Sequence, residues 1–228
     1  MIKAIFIDID NTLLSFDGYV KDCMEKGFAH FELKKYEPYM FDIFTEENGK
    51  LWTQIEKNEI TFDQLIEVRW PNIFKRLDID FDGPTFEAYF REFLFNSAIL
   101  IDGAYEMVEY LSQKYILCLA SNGPYEEQCN RMKVAQLDKF FPYYFISEKL
   151  GYSKPSKEFF DQAFIELNKE HSILPSETLI IGDSLASDMQ GGINYGIHTC
   201  FFNPNKKKDI PNQIDYVIKH LSEIKNIL

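Results

Sequence analysis

The chain has 228 residues, of which 46% are hydrophobic and 26% are charged, and it carries a net charge of −12. That length suffices for one good core, or for one core and a smaller inserted domain. The acidic balance argues against partners such as nucleic acid polymers or anionic membranes. It leaves room for a small anionic substrate, because local cations or a metal ion can reverse the field within one cleft.

No segment has the character of a membrane span or a signal peptide. The first apolar run ends at Asp8, which is too early for a signal peptide, and no stretch approaches the ~18 apolar residues that a span needs. The four cysteines show neither zinc-site nor disulfide spacing. We therefore expect a cytoplasmic protein, with Cys118 and Cys200 as buried free thiols.

The N-terminal segment reads Ala-Ile-Phe-Ile over residues 4–7 and then Asp8, Ile9, Asp10, Asn11 and Thr12. A continuous apolar run of this length predicts a strand buried on both faces, as in a parallel sheet. Asp8 and Asp10 follow at its carboxyl end, the edge where open α/β sheets bind ligands. Two carboxylates so close together repel unless a cation or a shared proton holds them, so the pair indicates a metal site or an acid/base site.

Residues 16–96 show apolar and aromatic residues at helical spacing and little that predicts a strand. We expect four or five helices, with starts at Thr61 and Pro84 and breaks at Pro38 and Pro71. An insertion of about 80 residues directly after the first strand is large enough to form a helical cap domain. The predicted domains are therefore a core of residues 1–15 and 97–228 and a cap of residues 16–96.

Strand and helix patterns alternate through the rest of the chain. Predicted strands cover residues 115–120, 143–146, 178–181, 198–202 and 216–218. Predicted helices cover residues 104–113, 124–132, 155–168 and 184–195, with Pro155 in a first turn and Gly196 closing the last helix. This alternation predicts a doubly wound parallel sheet. We interpret residues 205–209, with three lysines, as a solvated loop.

Polar residues follow three of the predicted buried strands, and their ends meet at one edge of a parallel sheet. They are Asp8 with Asp10, Ser121 with Asn122, and Gly182 with Asp183. Three hard carboxylates without His or Cys suit Mg²⁺. Lys154 adds a positive charge, while the Ser121 hydroxyl and the backbone N–H groups of residues 121–123 offer donors to an anion.

Such a set of groups binds and transfers a phosphoryl group. Asp8 is placed to attack phosphorus and to form an aspartyl-phosphate, and Asp10 to protonate the leaving oxygen and later deprotonate water. Asn11, Thr12 and Asn122 either donate to phosphate or only shape their turns.

Four segments resemble, in order, the motifs of the haloacid dehalogenase-like hydrolase superfamily. They are residues 8–12, Ser121, Lys154 with Pro155, and residues 182–188. The resemblance implies a Rossmann-like core with a helical cap, with Asp8 as nucleophile and Asp10 as acid/base. It further implies that Asp8, the Asp10 backbone carbonyl and Asp183 bind Mg²⁺, that Ser121 and Lys154 hold phosphate, and that Asp188 supports the metal site. True dehalogenases of the superfamily lack the acid found here at Asp10, which favours a phosphate-transferring member.

Four further segments look like parts of the pyrimidine 5′-nucleotidase subfamily. They are residues 14–17, Asn58 to Thr61, 146–151 and 191–196. The resemblance implies a Mg²⁺-dependent phosphatase that hydrolyses a small phosphomonoester, most specifically a nucleoside 5′-monophosphate. The alternatives are a sugar-phosphate mutase, a phosphoglycolate-type phosphatase and a non-catalytic phosphate-binding protein.

Three aromatic residues, Phe16, Tyr19 and Trp52, are candidates for the part of the cap that faces the cleft. Each either stacks on a base of the substrate or, as we favour, packs in a hydrophobic core. The four histidines lie outside the motifs, and we interpret them as structural.

Overall fold

The computed structural model describes residues 1–57 and 59–228. Asn58, which begins one of the segments compared above with pyrimidine 5′-nucleotidases, lies outside the described residues. The chain divides into two compact units, one formed by Met1–Phe16 and Ala98–Leu228 and the other by Asp17–Ser97.

Six strands of the described chain form one sheet in the first unit. They are β1 (Ala4–Ile7), β2 (Ile116–Ser121), β3 (Tyr143–Ile146), β4 (Thr178–Gly182), β5 (His198–Phe202) and β6 (Tyr216–Ile218). Their order is β3-β2-β1-β4-β5-β6, and every neighbouring pair is parallel. This architecture confirms the predicted doubly wound sheet. It places β1 between β2 and β4, whose carboxyl ends therefore flank the two N-terminal acids.

Successive side chains of β1 enter two different hydrophobic clusters, as the two-residue period of a strand requires. Ile5 and Ile7 pack in one cluster, and Ala4 and Phe6 pack in the other. All four residues are completely buried. The strand therefore has helices on both faces, which is why its sequence lacks the alternation of a half-exposed strand.

The helices follow the strands in the expected alternation. Those of the described residues are α1 (Phe16–His30), α2 (Pro38–Glu56), α3 (Phe62–Leu77), α4 (Gly83–Phe95), α5 (Ala104–Ser112), α6 (Tyr125–Val134), α7 (Ser147–Leu150), α8 (Lys157–Leu167) and α9 (Gln190–Tyr195). Short 3₁₀ turns at Asp138–Phe140, Pro175–Glu177 and Leu221–Asn226, and the single-turn helix α7, were not predicted. Each is too short to show a hydrophobic period.

Two predicted helices in the first unit differ from the structure, one in its start and the other in its continuity. Helix α8 begins at Lys157, because the Ser156 side chain accepts the Phe159 N–H as its N-cap; Pro155 precedes that cap and lies outside the first turn. The Lys154–Pro155 peptide bond is cis. Residues 184–195 are not one α-helix: a π-helical turn, Leu185–Met189, follows the Ser184 N-cap, and α9 continues from it. Gly196 ends α9 in the left-handed conformation, as predicted.

The second unit contains α2, α3, α4 and, from its second residue, α1, around an aromatic core. Phe28, Phe44, Trp70, Phe86 and Phe90 are nearly or completely buried in it. Thr61 forms the predicted helix start as a capping box with Gln64.

The predicted break at Pro71 is wrong, because Pro71 lies inside α3. A proline normally disrupts a helix interior. Here its ring packs against Gly83, where an added Cβ would lie 2.4 Å from the Pro71 ring. Tertiary packing thus outweighs the local preference.

An ion pair lies inside the second unit and joins α3 to α4. Arg69 and Glu87 form two hydrogen bonds, one of them 3.0 Å long from Arg69 Nε, and both side chains are buried. Asn48 of α2 accepts a further hydrogen bond from Arg69 at 3.2 Å, and the guanidinium lies 4.6 Å from the centroid of the Phe90 ring. These contacts satisfy charges whose burial would otherwise be unfavourable.

Cys118 and Cys200 are buried free thiols, as predicted. Over the part of the chain that the structure describes, no helix combines the length and apolar character required to span a bilayer.

Candidate active site

Asp8 and Lys154 meet at the carboxyl end of β1. The Asp8 backbone N–H donates to the Ile181 carbonyl at 2.9 Å, which extends the pairing of β1 with β4 by one bond. Lys154 Nζ donates to Asp8 Oδ1 at 2.8 Å, although the two residues are far apart in sequence. Lys154 is 1% exposed. A lysine is almost never buried to this extent without a charged partner.

Asp188 completes the surroundings of the lysine ammonium group. Lys154 Nζ also donates to Asp188 Oδ1 and to the Ala120 carbonyl, both at 2.5 Å, so its three protons have three acceptors. The other Asp188 oxygen accepts the Ser184 N–H at 3.1 Å. Gly182 makes room for this carboxylate, since an added Cβ would lie 2.2 Å from Asp188 Oδ2.

Asp8, Asp183 and Asp188 each present a carboxylate oxygen, and these oxygens lie within 4.8 Å of one another. Burial raises the pKa of Asp8 well above its ordinary value; the Lys154 ammonium opposes this shift, and Asp188 and Asp183 reinforce it. Burial, with the Asp188 charge as the next cause, raises the pKa of Asp183 to about 7. Burial alone would lower the pKa of Lys154, but the Asp188 and Asp8 carboxylates raise it.

The three carboxylates of this cluster carry more negative charge than the single Lys154 ammonium group, which contacts two of them, can offset, and a divalent cation would balance the excess. Their oxygens are the ligand type that Mg²⁺ prefers. Asp183 is partly exposed, so the cluster has one side open to a ligand. The residues present therefore fit a Mg²⁺ ion.

Ser121 lies at the end of β2 with its hydroxyl fixed by two donors. Its Oγ accepts hydrogen bonds from the Gly123 N–H and from Gln128 Nε2, both at 3.1 Å. Two accepted bonds occupy the lone pairs of a hydroxyl, so its proton is available for donation.

Asn122 contacts the lysine segment. Its carboxamide exchanges two hydrogen bonds with the Lys154 backbone, of 2.8 and 2.9 Å. The side chain thus fixes the chain that carries Lys154, a role that the sequence did not indicate.

Asp10 points towards α6. Arg131 Nη1 donates to Asp10 Oδ1 at 2.8 Å, and Gln128 Nε2 donates to Oδ2 at 2.7 Å. The sequence analysis missed both donors. Their i, i+3 spacing on a helix after Ser121 places them on one face of that helix, but nothing in the sequence indicates that this face meets Asp10.

Asn11 and Thr12 form the turn after the two acids. Asn11 has a φ of 57°, and its N–H donates to the Leu14 carbonyl at 2.7 Å. These features support the turn-shaping interpretation for Asn11. Thr12 is completely buried, and its Oγ1 has no hydrogen-bond partner among the described residues.

Two of the aromatic residues considered for base stacking pack against other rings. Tyr19 is 1% exposed in the second unit, where its ring packs on Phe90 and its hydroxyl donates to the Phe90 carbonyl, which confirms the packing interpretation. Trp52 packs on Phe62.

Each histidine contacts residues outside the acidic cluster. These contacts are His30 with Tyr89, His171 with Tyr143, His198 with Asp215 and His220 with Glu223.

A doubly wound sheet with clustered carboxylates and a lysine at its carboxyl edge can bind an anionic group such as phosphate together with a divalent cation. The sequence profile of the haloacid dehalogenase-like hydrolases matches residues 2–196. The chain belongs to this family.

Three relatives match almost the whole chain. The HAD-hydrolase YfnB of Bacillus subtilis is 32% identical, with 99% of this chain and 95% of the relative covered. The pyrimidine 5′-nucleotidases PynA of Streptococcus pneumoniae and YjjG of Escherichia coli are 30% and 26% identical. The first match covers 89% of this chain and 84% of PynA, and the second covers 98% of this chain and 96% of YjjG.

The crystal structure of YfnB bound to magnesium superimposes with a TM-score of 0.88 at 32% identity, over 100% of this chain and 98% of that one. That crystal structure reveals interdomain movement in YfnB.

Proposed function

We propose that this protein is a Mg²⁺-dependent phosphomonoesterase that acts through an aspartyl-phosphate on Asp8, with a nucleoside 5′-monophosphate, in particular a pyrimidine one, as substrate. The observation that carries the proposal is the contact of Asp8 with buried Lys154, within a cluster that also contains Asp183 and Asp188. A carboxylate held beside an ammonium group and two further acids is suited to a phosphate ester that arrives with a cation.

In the first step an Asp8 carboxylate oxygen attacks phosphorus and forms a P–O bond, while the bond from phosphorus to the leaving oxygen breaks. Asp10 gives its proton to that oxygen, so that an alcohol departs. The Ser121 hydroxyl donates to a phosphoryl oxygen, and the Lys154 proton that binds Asp8 Oδ1 turns to another as this carboxylate attacks. Both donors lie where negative charge spreads in the transition state.

In the second step a water molecule attacks the phosphorus of the aspartyl-phosphate. Asp10, now a carboxylate, accepts the proton of this water as the new P–O bond forms. The bond from phosphorus to Asp8 breaks, which releases inorganic phosphate and restores the carboxylate. Asp10 is again protonated, so the proton balance of the cycle closes.

The side chains of Asp8 and Asp183 and the backbone carbonyl of Asp10 would hold Mg²⁺, with Asp188 in support. Bound there, the ion supplies positive charge that offsets the repulsion between the attacking carboxylate and the phosphoryl oxygens.

The substrate class rests on two relatives, PynA and YjjG, whose names state pyrimidine 5′-nucleotidase activity. We further propose that the helical unit, Asp17–Ser97, acts as a cap that excludes bulk water and selects the leaving group. The reported interdomain movement in YfnB supports this assignment.

The test is a phosphate-release screen that compares pyrimidine and purine nucleoside 5′-monophosphates, sugar phosphates and phosphoglycolate, each with Mg²⁺ and with EDTA. We expect the pyrimidine nucleotides to give the highest kcat/KM, and EDTA to remove the activity. Asp8→Asn should abolish turnover while the circular dichroism spectrum stays native. Lys149→Gln, a change at an exposed lysine of α7, serves as the control.

Turnover retained in Asp8→Asn would remove Asp8 as the nucleophile. Phosphate release that requires a sugar bisphosphate would favour the mutase alternative, and preference for phosphoglycolate would favour the small-acid phosphatase. Binding of phosphate without hydrolysis of any ester would favour the non-catalytic alternative.

A further inference from the structure

Two donors from one helix hold both oxygens of Asp10. Arg131 Nη1 lies 2.8 Å from Oδ1, and Gln128 Nε2 lies 2.7 Å from Oδ2. The Arg131 side chain is 2% exposed, whereas the Asp10 side chain is 33% exposed. Gln128 is also buried. The carboxylate is therefore bound along the edge that faces α6, while another part of it remains open to solvent.

Several contacts fix the two donors relative to each other and to the site. Arg131 Nη1 also donates to Gln128 Oε1 at 3.0 Å, so the guanidinium orients the carboxamide. Gln128 Nε2 in turn donates to Ser121 Oγ at 3.1 Å. One connected network thus joins Asp10 to Ser121, the residue to which we assign a phosphate contact.

The local chain is shaped to admit this network. An added Cβ at Gly123 would lie 2.3 Å from Gln128 Nε2, so any larger residue there would displace the carboxamide. At the start of α6, the Tyr125 N–H donates to Glu148 Oε2 at 2.7 Å. This carboxylate satisfies one of the free N–H groups of the first helical turn and fixes the helix end that precedes Gln128.

Attachment of α6 to the sheet does not require these polar groups. Met132 of the same helix is completely buried in the hydrophobic cluster that contains Ile5 and Ile7, and it anchors α6 by apolar contact. Burial of a guanidinium and a carboxamide is unfavourable unless each is well paired. Their convergence on one partly exposed carboxylate indicates a role at that carboxylate.

We propose that Arg131 and Gln128 are positioning residues that fix the plane of the Asp10 carboxyl group, so that its solvent-facing edge meets the leaving oxygen and later the attacking water. This inference rests on the proposed function and extends it to two residues outside the family motifs. Neither residue touches the substrate; both act through Asp10.

The test compares kcat/KM for two esters, because this parameter reports the steps up to departure of the leaving group. p-Nitrophenol leaves without protonation, whereas the alcohol of a nucleoside 5′-monophosphate needs the Asp10 proton. Arg131→Met and Gln128→Leu should therefore lower kcat/KM about 10- to 100-fold for the nucleotide and much less for p-nitrophenyl phosphate. Arg131→Lys, which keeps a charged donor, should recover part of the loss.

A double-mutant cycle supplies the second readout. In an Asp10→Asn background, Arg131→Met should cause no further loss on the nucleotide, because the group that it positions is already gone. Lys133→Met removes a positive charge from an exposed position of the same helix and is the matched control, with both esters unaffected. Thermal unfolding of each variant verifies folding, and Gln128→Leu provides the measurement if Arg131→Met does not fold.

Two results would overturn the positioning role while leaving the proposed function intact. One is an equal loss of kcat/KM on the two esters, and the other is a loss from Arg131→Met that is as large in the Asp10→Asn background as in the wild-type protein. Absence of hydrolysis of either ester by the wild-type protein would overturn both proposals. The two failures are therefore distinguishable.

Discussion

Lys154 and Asp188 form an ion pair at 2.5 Å in which the side chains are 1% and 0% exposed. The pair joins the segment before α8 to the π-helical turn after β4, and the same ammonium group also contacts Asp8. The group that we assign to phosphate binding is thus also part of the interior. Its ion pair should therefore affect both stability and activity.

Asp188→Asn should lower the free energy of unfolding by about 3–5 kcal/mol, because it leaves buried Lys154 with one charge partner fewer. Urea denaturation measures the loss. Glu166→Gln is the matched control: it breaks the exposed Lys169–Glu166 pair, where the expected change is below about 1 kcal/mol. Similar losses in the two variants would contradict the structural role of the buried pair.

Gly182→Ala should reduce both stability and phosphatase activity, because the new Cβ would lie 2.2 Å from Asp188 Oδ2 and force this carboxylate away from Lys154. Denaturant unfolding and kcat measure the two effects. Gly49→Ala in α2 is the opposite case, since nothing lies within 4 Å of the added Cβ. It should stabilise the protein by about 0.5–1 kcal/mol through helix propensity. A neutral result for Gly182→Ala would show that Asp188 moves without consequence.

Arg69→Met should destabilise the helical unit by about 3–5 kcal/mol, because Glu87 would stay buried without its guanidinium partner. Replacement of both residues by methionine should cost less than Arg69→Met alone, since no charge then remains in the interior. Urea unfolding followed by tryptophan fluorescence measures this order, with Trp70 in the same core as the reporter. A double variant less stable than either single variant would contradict the argument.

Without a divalent ion, stability should fall as the pH rises from about 4 to about 7. The pKa of Asp183 is about 7 in the folded chain against 3.8 ordinarily, so the folded state binds the extra proton in that interval. The slope for one proton is about 1.4 kcal/mol per pH unit.

Mg²⁺ competes with this proton and should therefore raise the unfolding midpoint more at pH 8 than at pH 5. Thermal melts with Mg²⁺ or EDTA at the two pH values measure the difference. Asp183→Asn should reduce the pH dependence and leave the part that comes from Asp8, whose pKa is also raised. An equal Mg²⁺ effect at both pH values would contradict the assignment.

The sheet and the grouping of charged residues at its carboxyl edge could be predicted from the sequence, because both depend on local pattern. Buried parallel strands appear as short apolar runs, and the acids that follow them must lie on one edge once the strands are parallel. Asp8, Asp183 and Lys154 could therefore be placed near one another from chain order and connection rules alone.

The contacts on Asp10 could not be predicted in this way. Gln128 and Arg131 are ordinary polar residues of a helix, and only the rotation of α6 about its own axis brings them to Asp10. Pro71 gave a wrong prediction for a related reason, because its place within α3 depends on the space that Gly83 leaves on another helix. Contacts of this kind leave no periodic pattern in the sequence from which they could be predicted.

The central position of β1 in the sheet has a consequence for biosynthesis. This strand is synthesised before both of its neighbours, which are β2, ending at Ser121, and β4, ending at Gly182. One edge of the nascent strand therefore stays without its backbone partner until Ser121 has been added, and the other edge until Gly182 has been added. Unpaired apolar edges are prone to wrong associations, so a chaperone that shields β1 during this interval would protect the protein at its most vulnerable stage.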